Sequence, residues 1–333
     1  MKRSTILLSL IVVALGIFAV ILMTRDHSGT IKRELRDFAV HDTASVDKIF
    51  MVTKGNEQVI LTRDEKNWIV NDKYVVRREA IDLLLKTIHR IQVRAPVAKS
   101  ALDNVVTMLA TRNTKVEIYI KGKLDKTIYV GGPTQDQIGT FMMLEGSSVP
   151  FVVHIPGFIG YLSTRFFIDE RSWRSPLIFN YNFDEIAKIE SINNDNPGAS
   201  FVLNKEKNRF EMLDLAGNST AAVIDTLAIK FFVSNFERVA SEFFANQMET
   251  EMMDSLNMAT PFHVLELTDI DGNIKKVEAH RRKPMEQADP EAPPQEFDME
   301  RMYARINESD WVVIQYFVFD QLFKELQFFL PAK

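Results

Sequence analysis

Cysteine is absent from all 333 residues, which excludes disulfides, thiolate-bound zinc, cluster ligation, a thiol nucleophile and a lipidated cysteine. Glycine and proline are sparse, at 13 and 12 residues, so the chain is neither fibrous nor low in complexity. No excess of positive charge exists, since 40 Lys and Arg face 45 Asp and Glu for a net charge of -5. Phosphate backbones therefore find no general attraction here, and nucleic acid is not expected as a partner. Neither G-x-S-x-G nor G-x-x-x-x-G-K-[ST] occurs, and no two of His27, His41, His89, His154, His263 and His280 lie within five residues. The sequence thus shows no serine-hydrolase elbow, phosphate loop or helical zinc site. What is present is a chain that is 46% hydrophobic and 26% charged, long enough for about two domains at roughly 150 residues each.

From Ile6 to Met23 run 18 residues, ILLSLIVVALGIFAVILM, without a charge, between Lys2 and Arg3 on one side and Arg25 and Asp26 on the other. As a helix this stretch spans about 27 Å, close to the roughly 30 Å hydrocarbon core and longer than the apolar region of a cleavable signal. No small-x-small cleavage site appears in VILMTRD, so the segment is predicted to be an uncleaved signal anchor touching membrane lipid through Ile6 to Met23. Basic residues lie on both flanks, because Arg25, Lys32, Arg33 and Arg36 follow the helix among Asp26, Glu34 and Asp37. The pair closest to the start of the first helix is given priority, which predicts a single-pass inner-membrane protein with its large domain in the periplasm. That domain is more acidic than the whole chain, since residues 1–30 hold Lys2, Arg3 and Arg25 against Asp26 alone. It is not expected to adhere to anionic lipid.

Beyond the anchor and a short linker (1–30), the chain reads as two copies of one plan, 31–175 and 176–333. Val46-Asp47-Lys48-Ile49 is matched with Phe183-Asp184-Glu185-Ile186, and VILTRDEKNW ending at Trp68 with FVLNKEKNRF ending at Phe210. Both of the latter read as β-hairpins with a charged turn and an aromatic returning to the core. An apolar stripe at helical spacing follows in each copy: Ile81, Leu84, Leu85, Ile88 and Ile91, then Ile229, Phe232, Val233, Phe236 and Val239. Alternating strands come next, with Val116 and Ile118 set against Leu265 and Leu267, and Phe151-Val152-Val153 against Trp311-Val312-Val313. Each copy is expected to close on an aromatic-rich helical segment. A Pro- and acid-rich loop, Arg281 to Phe297, interrupts the second copy where the first has the compact VGGPTQDQIGTFM. The predicted fold class is α+β with mostly antiparallel sheets, behind an N-terminal transmembrane helix.

The order of the hairpin ILTRDEKNW, the helix from about Arg77, the strands around KVEIYI and TIYVGG, and then VPFVVHIPGF and RFFIDERSWRSPLIF resembles the domain of unknown function 4340 family. Membrane-anchored bacterial members are the most similar. The resemblance covers residues 38 to 330, the first copy being the better match. The second departs from it through the Arg281 to Phe297 insertion and the lack of a Gly-Gly-Pro turn. The resemblance implies an extracytoplasmic α+β domain, in some members associated with ABC-type transport or gliding components. It brings no catalytic residues with it.

Candidate sites are few. Gly131, Gly132 and Gly139 form the one glycine cluster; with Pro133, Gln135 and Asp136 they read as a turn between TIYV and TFMML, or as a loop whose backbone N–H groups approach a ligand. Trp173 and Arg174, in RSWRSP, read as a packed linker or as an anchor for a partner. His89 lies off the helical stripe and is expected in solvent, while His154 ends a strand and is expected to be structural. Asp269 to Asn273, DIDGN, lacks the later glutamate of a calcium loop and reads as a turn. Phenylalanine is abundant, at 24 residues, and clusters at Phe231, Phe232, Phe236, Phe243 and Phe244 and again at Phe317, Phe319, Phe323, Phe328 and Phe329. These are read as core between the copies, the alternative being an apolar interface.

No cofactor or metal is expected. The leading expectation is a non-enzymatic accessory or assembly module of an envelope transport or secretion complex, partnered by an envelope or inner-membrane protein. The alternatives are an envelope enzyme acting on glycan or peptide through carboxylates from both copies, and a ligand-binding ectodomain with its site between them.

Overall fold

The computed structural model describes residues 36–207, 209–220, 223–284 and 295–330. The predicted anchor, Ile6 to Met23, lies outside the described residues, as do residues 285–294 of the long loop. Among the described residues no helix is long and apolar enough to cross a membrane. They divide into two compact units, with the boundary between Ser175 and Pro176. Each unit is α+β, with one large antiparallel sheet and a few helices.

In chain order the first unit contains β1 (Val46–Thr53), β2 (Gln58–Arg63), β3 (Trp68–Val70), β4 (Tyr74–Val75), α1 (Arg78–Arg90), β5 (Gln92–Pro96), α2 (Lys99–Thr111) and β6 (Thr114–Ile120). It continues with β7 (Lys123–Pro133), β8 (Thr140–Leu144), β9 (Phe151–His154) and α3 (Glu170–Trp173). The sheet runs β4-β3-β2-β1-β6-β7-β8-β9-β5. In β1 the buried residues are Val46, Ile49 and Met51. The three-residue step from Val46 to Ile49 is taken up by a bulge against β6, after which ordinary alternation resumes.

Helix α1 lays Ala80, Ile81, Leu84 and Ile88 on the same core, with Glu79 in its first turn and His89 and Arg90 in its last, each sign matched to the helix dipole. Its one buried hydroxyl is satisfied twice, since Thr87 Oγ1 donates to the Leu83 carbonyl at 2.7 Å and accepts from Arg165 Nη1 at 2.9 Å. A separate small cluster lies around α2, where Val97, Val105 and Leu109 meet Tyr129, Phe141, Met143 and Val152. These strand residues alternate with core residues Ile128, Met142 and Val153, so α2 covers the opposite face of β7 to β9.

The second unit contains β10 (Leu177–Phe179), β11 (Ile186–Asn193), β12 (Phe201–Glu206), β13 (Arg209–Leu213), α4 (Thr226–Ser234), β14 (Val239–Ala240) and β15 (Phe243–Phe244). Then come α5 (Thr250–Met258), β16 (His263–Asp269), β17 (Ile274–Arg281), β18 (Arg301–Ile306), β19 (Asp310–Gln315) and α6 (Tyr316–Phe319). Its large sheet runs β13-β12-β11-β16-β17-β18-β19-β15, while β10 pairs with β14. Asp225 starts α4 by accepting from the backbone of Leu227 and Ala228 at 2.9 and 3.1 Å. Phe201, Phe232 and Phe329 meet edge to face, with centroids 5.0 to 5.9 Å apart. The buried phenylalanines, with Phe236 and Phe319 among them, belong to the second unit's own core. Phe231, Phe243, Phe317 and Phe328 are exposed.

Apart from β4, which has no counterpart, the second sheet repeats the order of the first: β11 stands where β1 stands, β16 where β6 stands, and β15 closes its edge as β5 does. The registers correct two of the sequence matches. Val46-Asp47-Lys48-Ile49 corresponds to Ile186-Ala187-Lys188-Ile189, because both strands bulge at the same step and bury the same positions. Phe183–Glu185 is a 3-10 turn ahead of β11, as Thr43–Ser45 is ahead of β1. Likewise the core residues Phe151 and Val153 correspond to Val312 and Ile314, whereas Trp311 and Val313 lie outside that core cluster. The literal match was one residue out, which in a strand exchanges the two faces. The closing helical segments are short, α3 and α6 each having 4 residues.

Candidate functional site

The residues singled out in sequence do not converge on one place. Gly131 and Gly132 are not in the turn; they belong to the end of β7, where its register with β8 shifts between Val130 and Pro133. The turn itself is Thr134 to Gly139, closed by Thr134 N–H to the Gly139 carbonyl and Gln137 N–H to the Thr134 carbonyl, each 2.9 Å. The two glycines are explained by α2. A Cβ on Gly131 would lie 2.7 Å from Leu109 Cδ2, 2.8 Å from Met108 Cε and 3.0 Å from the Phe141 carbonyl oxygen, and one on Gly132 would lie 3.3 Å from Met108 Sδ. A Cβ on Gly139 would lie 2.6 Å from Val152 Cγ1.

Pro133 is exposed and pairs with Thr140. Asp136 holds the turn, accepting from Thr134 Oγ1 at 2.5 Å and from Ile138 N–H at 3.2 Å, with Arg94 Nη1 3.4 Å away. Those bonds, Thr134's foremost, keep its carboxyl below the ordinary aspartate range.

Trp173 and Arg174 are both buried. The Trp173 indole stacks on Phe167 at 4.1 Å and donates from Nε1 to the Phe167 carbonyl at 2.9 Å. The Arg174 guanidinium lies 3.5 Å over the Tyr74 ring. Arg174 ties the end of the first unit to Tyr74 of β4 and, through a backbone bridge, to Val76.

His89 is exposed, with Nδ1 3.3 Å from the Val40 carbonyl. The DIDGN segment is a hairpin turn in which Asp269 accepts from the backbone of Asp271 and Asn273 at 3.0 and 2.8 Å and Gly272 has φ 83°. Among the described residues no group of three or more His, Asp or Glu is placed to hold a metal ion.

One corner of the first sheet does assemble a cavity, of about 390 Å³. Three segments meet there: Thr53 to Gly55, leaving β1; Thr111 to Thr114, between α2 and β6; and Val130 to Gly132, at the end of β7. Among the described residues, Lys54 and Arg112 are its two cations and no carboxylate lines it. Thr53, Thr111, Thr114 and Ser163 bring hydroxyls to the wall. A second cavity, of about 410 Å³, lies by the β2–β3 turn and is lined by Arg63, Lys66 and Arg78 together with Asp64, Glu65 and Asp82. There the signs balance, and Arg78 and Asp82 pair directly at 3.6 Å.

Sequence reasoning missed the buried polar groups of the second unit. His263 sits on the core side of β16 in phase with Leu265 and Leu267, its Nε2 2.9 Å from Ser191 Oγ and its ring 4.2 Å from that of Phe323. Burial pushes its pKa down to about 4. His280, also lowered by burial, faces Trp311 at 5.2 Å. Nearby, Glu278 accepts from Arg305 Nε at 2.7 Å and pairs with Lys276 at 3.0 Å. The period-2 pattern of HVLEL and VEAHR was the available signal, but alternation does not say which polar residue finds a partner.

No protein-family model, curated protein or solved structure matches the chain.

Proposed function

We propose that this chain is a membrane-anchored periplasmic protein of the domain of unknown function 4340 family. In this reading Ile6 to Met23 cross the inner membrane once, and the two α+β units are tandem copies of one ancestral domain. They act as a non-enzymatic accessory or assembly module, binding an envelope or inner-membrane protein of a transport or secretion complex.

One observation carries the binding role. Leu227 and Phe231, one helical turn apart on α4, are 75% and 56% exposed, and Phe328 in the adjoining 3-10 turn is 42% exposed. They lie outside an aromatic core that is already filled by Phe201, Phe232 and Phe329. Large apolar and aromatic side chains held at the surface of rigid elements are the usual centre of a protein–protein contact. The shared strand order of the two sheets supports the duplication, and the uncharged run of Ile6 to Met23 supports the anchor.

The test is recovery of the full-length protein from native membranes in mild detergent, followed by mass spectrometry of what accompanies it. A stoichiometric membrane partner that is lost from L227S/F231S supports the reading. Recovery of the protein alone, or turnover of a defined envelope substrate that one polar substitution abolishes, overturns it. A reporter fused after Lys333 that is active only in the cytoplasm overturns the periplasmic placement.

A further inference from the structure

We propose that the cavity at the corner of the first sheet binds a phosphate monoester. This goes beyond the accessory role and does not depend on it. Among the described residues, Lys54 and Arg112 line the cavity with no carboxylate in its lining, and neither forms an ion pair within 4.0 Å. A dianionic phosphate offers several acceptor oxygens to two cations and to the hydroxyls of Thr114 and Ser163 in the lining, and charge-assisted bonds of this kind are the strong ones. The cavity, at about 390 Å³, falls within the range of small-molecule sites.

The C-terminus of α2 also points here, and exposed carbonyls would oppose an anion. Two of them are engaged: Arg112 N–H donates to the Met108 carbonyl at 2.7 Å and Asn113 Nδ2 to the Leu109 carbonyl at 2.5 Å.

The second unit supplies an internal comparison. Pairing of Thr114 with Val130 and of His263 with Ala279 makes Gly132 the counterpart of Arg281. Asp195 follows β11 as Gly55 follows β1. In the second unit Arg281 and Asp195 form an ion pair, and Arg281 lies 4.7 Å over the Phe262 ring. That corner neutralises itself and is filled by aromatic rings. In the first unit both positions are glycine, the space is open, and the remaining charges are cationic.

The experiment uses the full-length protein in phosphatidylcholine nanodiscs, with glycerol phosphate titrated by calorimetry. Saturable binding is expected, weakened about tenfold or more in K54Q/R112Q, weakened by added salt, and unchanged in K86Q, a substitution at an exposed lysine of α1. Because Lys54 and Arg112 are exposed, the double variant should keep the parental circular dichroism and Tm. Repeating the titration with phosphatidic acid in the nanodisc separates the two sources of such a group. Competition identifies a lipid headgroup, and its absence identifies a soluble ester. No saturable binding up to about 10 mM in either disc, or equal binding by K54Q/R112Q, overturns the proposal.

Discussion

Ser191 Oγ and His263 Nε2 lie 2.9 Å apart on neighbouring strands of the second unit, where Ser191 is 1% and His263 3% exposed. The pair joins β11 to β16 on the core side of the sheet, under the ring of Phe323. The imidazole is held neutral by its surroundings, and that has a consequence for stability. Its pKa falls from 6.5 to about 4 on folding, so the unfolded chain binds a proton that the folded one refuses between those values. Stability is therefore complete above about pH 6.5 and declines as pH falls toward 4, by up to about 3 kcal/mol. His280 is shifted in the same direction by burial. Urea unfolding followed by circular dichroism at pH 7 and pH 4.5 measures the slope, and His263→Gln is expected to flatten it. An unchanged slope in that variant would disprove the assignment.

The glycines of β7 and the following turn are predicted to be packing residues. Gly131→Ala puts a methyl 3.0 Å from the fixed carbonyl of Phe141, as well as against Leu109 and Met108. Gly139→Ala meets the stiff Val152 side chain at 2.6 Å, whereas Gly132→Ala meets only the flexible thioether of Met108 at 3.3 Å. The first two are expected to cost about 1–3 kcal/mol by overpacking, and the third less. Equal melting temperatures for all three variants would contradict this.

Adjacent phenylalanines should behave differently. Phe329 is fully buried against Phe201 and Phe232, while Phe328 is 42% exposed. Phe329→Ala is expected to lose about 3–5 kcal/mol, and Phe328→Ala about 1 kcal/mol or less. Parallel denaturant melts compare them directly, and a larger loss from Phe328→Ala would mean that the partition between core and surface is wrong.

Glu278 is buried on β17, where it pairs with Arg305 of β18. Burial pushes its carboxyl pKa up, but hydrogen bonds and charge from Arg305 and Lys276 outweigh that and hold it below the usual glutamate value. Its contribution is present above the unfolded pKa and is lost as pH falls through the lowered folded value. Glu278→Ala leaves Arg305 without its carboxylate and is expected to destabilise by about 1–3 kcal/mol at pH 7. A double-mutant cycle with Arg305→Ala measures the coupling, and strict additivity would show that the pair is not a unit.

Sequence alone was enough for the class of fold and for much of its layout. Alternation and helical spacing are local properties, and they pick out Ile81, Leu84 and Ile88 of α1 and Ile229, Phe232 and Val233 of α4, all of them buried, while Phe236 falls beyond the end of α4. The hairpin ending at Trp68 and its partner ending at Phe210 also hold, because each strand turns on its own residues: Trp68 pairs with Arg63, and Phe210 with Lys205. Tertiary structure decided whatever depends on register. The β1 and β11 bulges moved one match by three residues, and the face exchange at Val312 moved another by one. It also decided what the glycines do, since only the approach of α2 explains Gly131. The cavity was decided in the same way: Lys54, Arg112 and Gly132 are far apart in sequence, and their three segments meet only where β1, β6 and β7 end side by side. Local pattern sets which face of a strand is apolar, while the charge of a corner is set by which strand ends the sheet brings together.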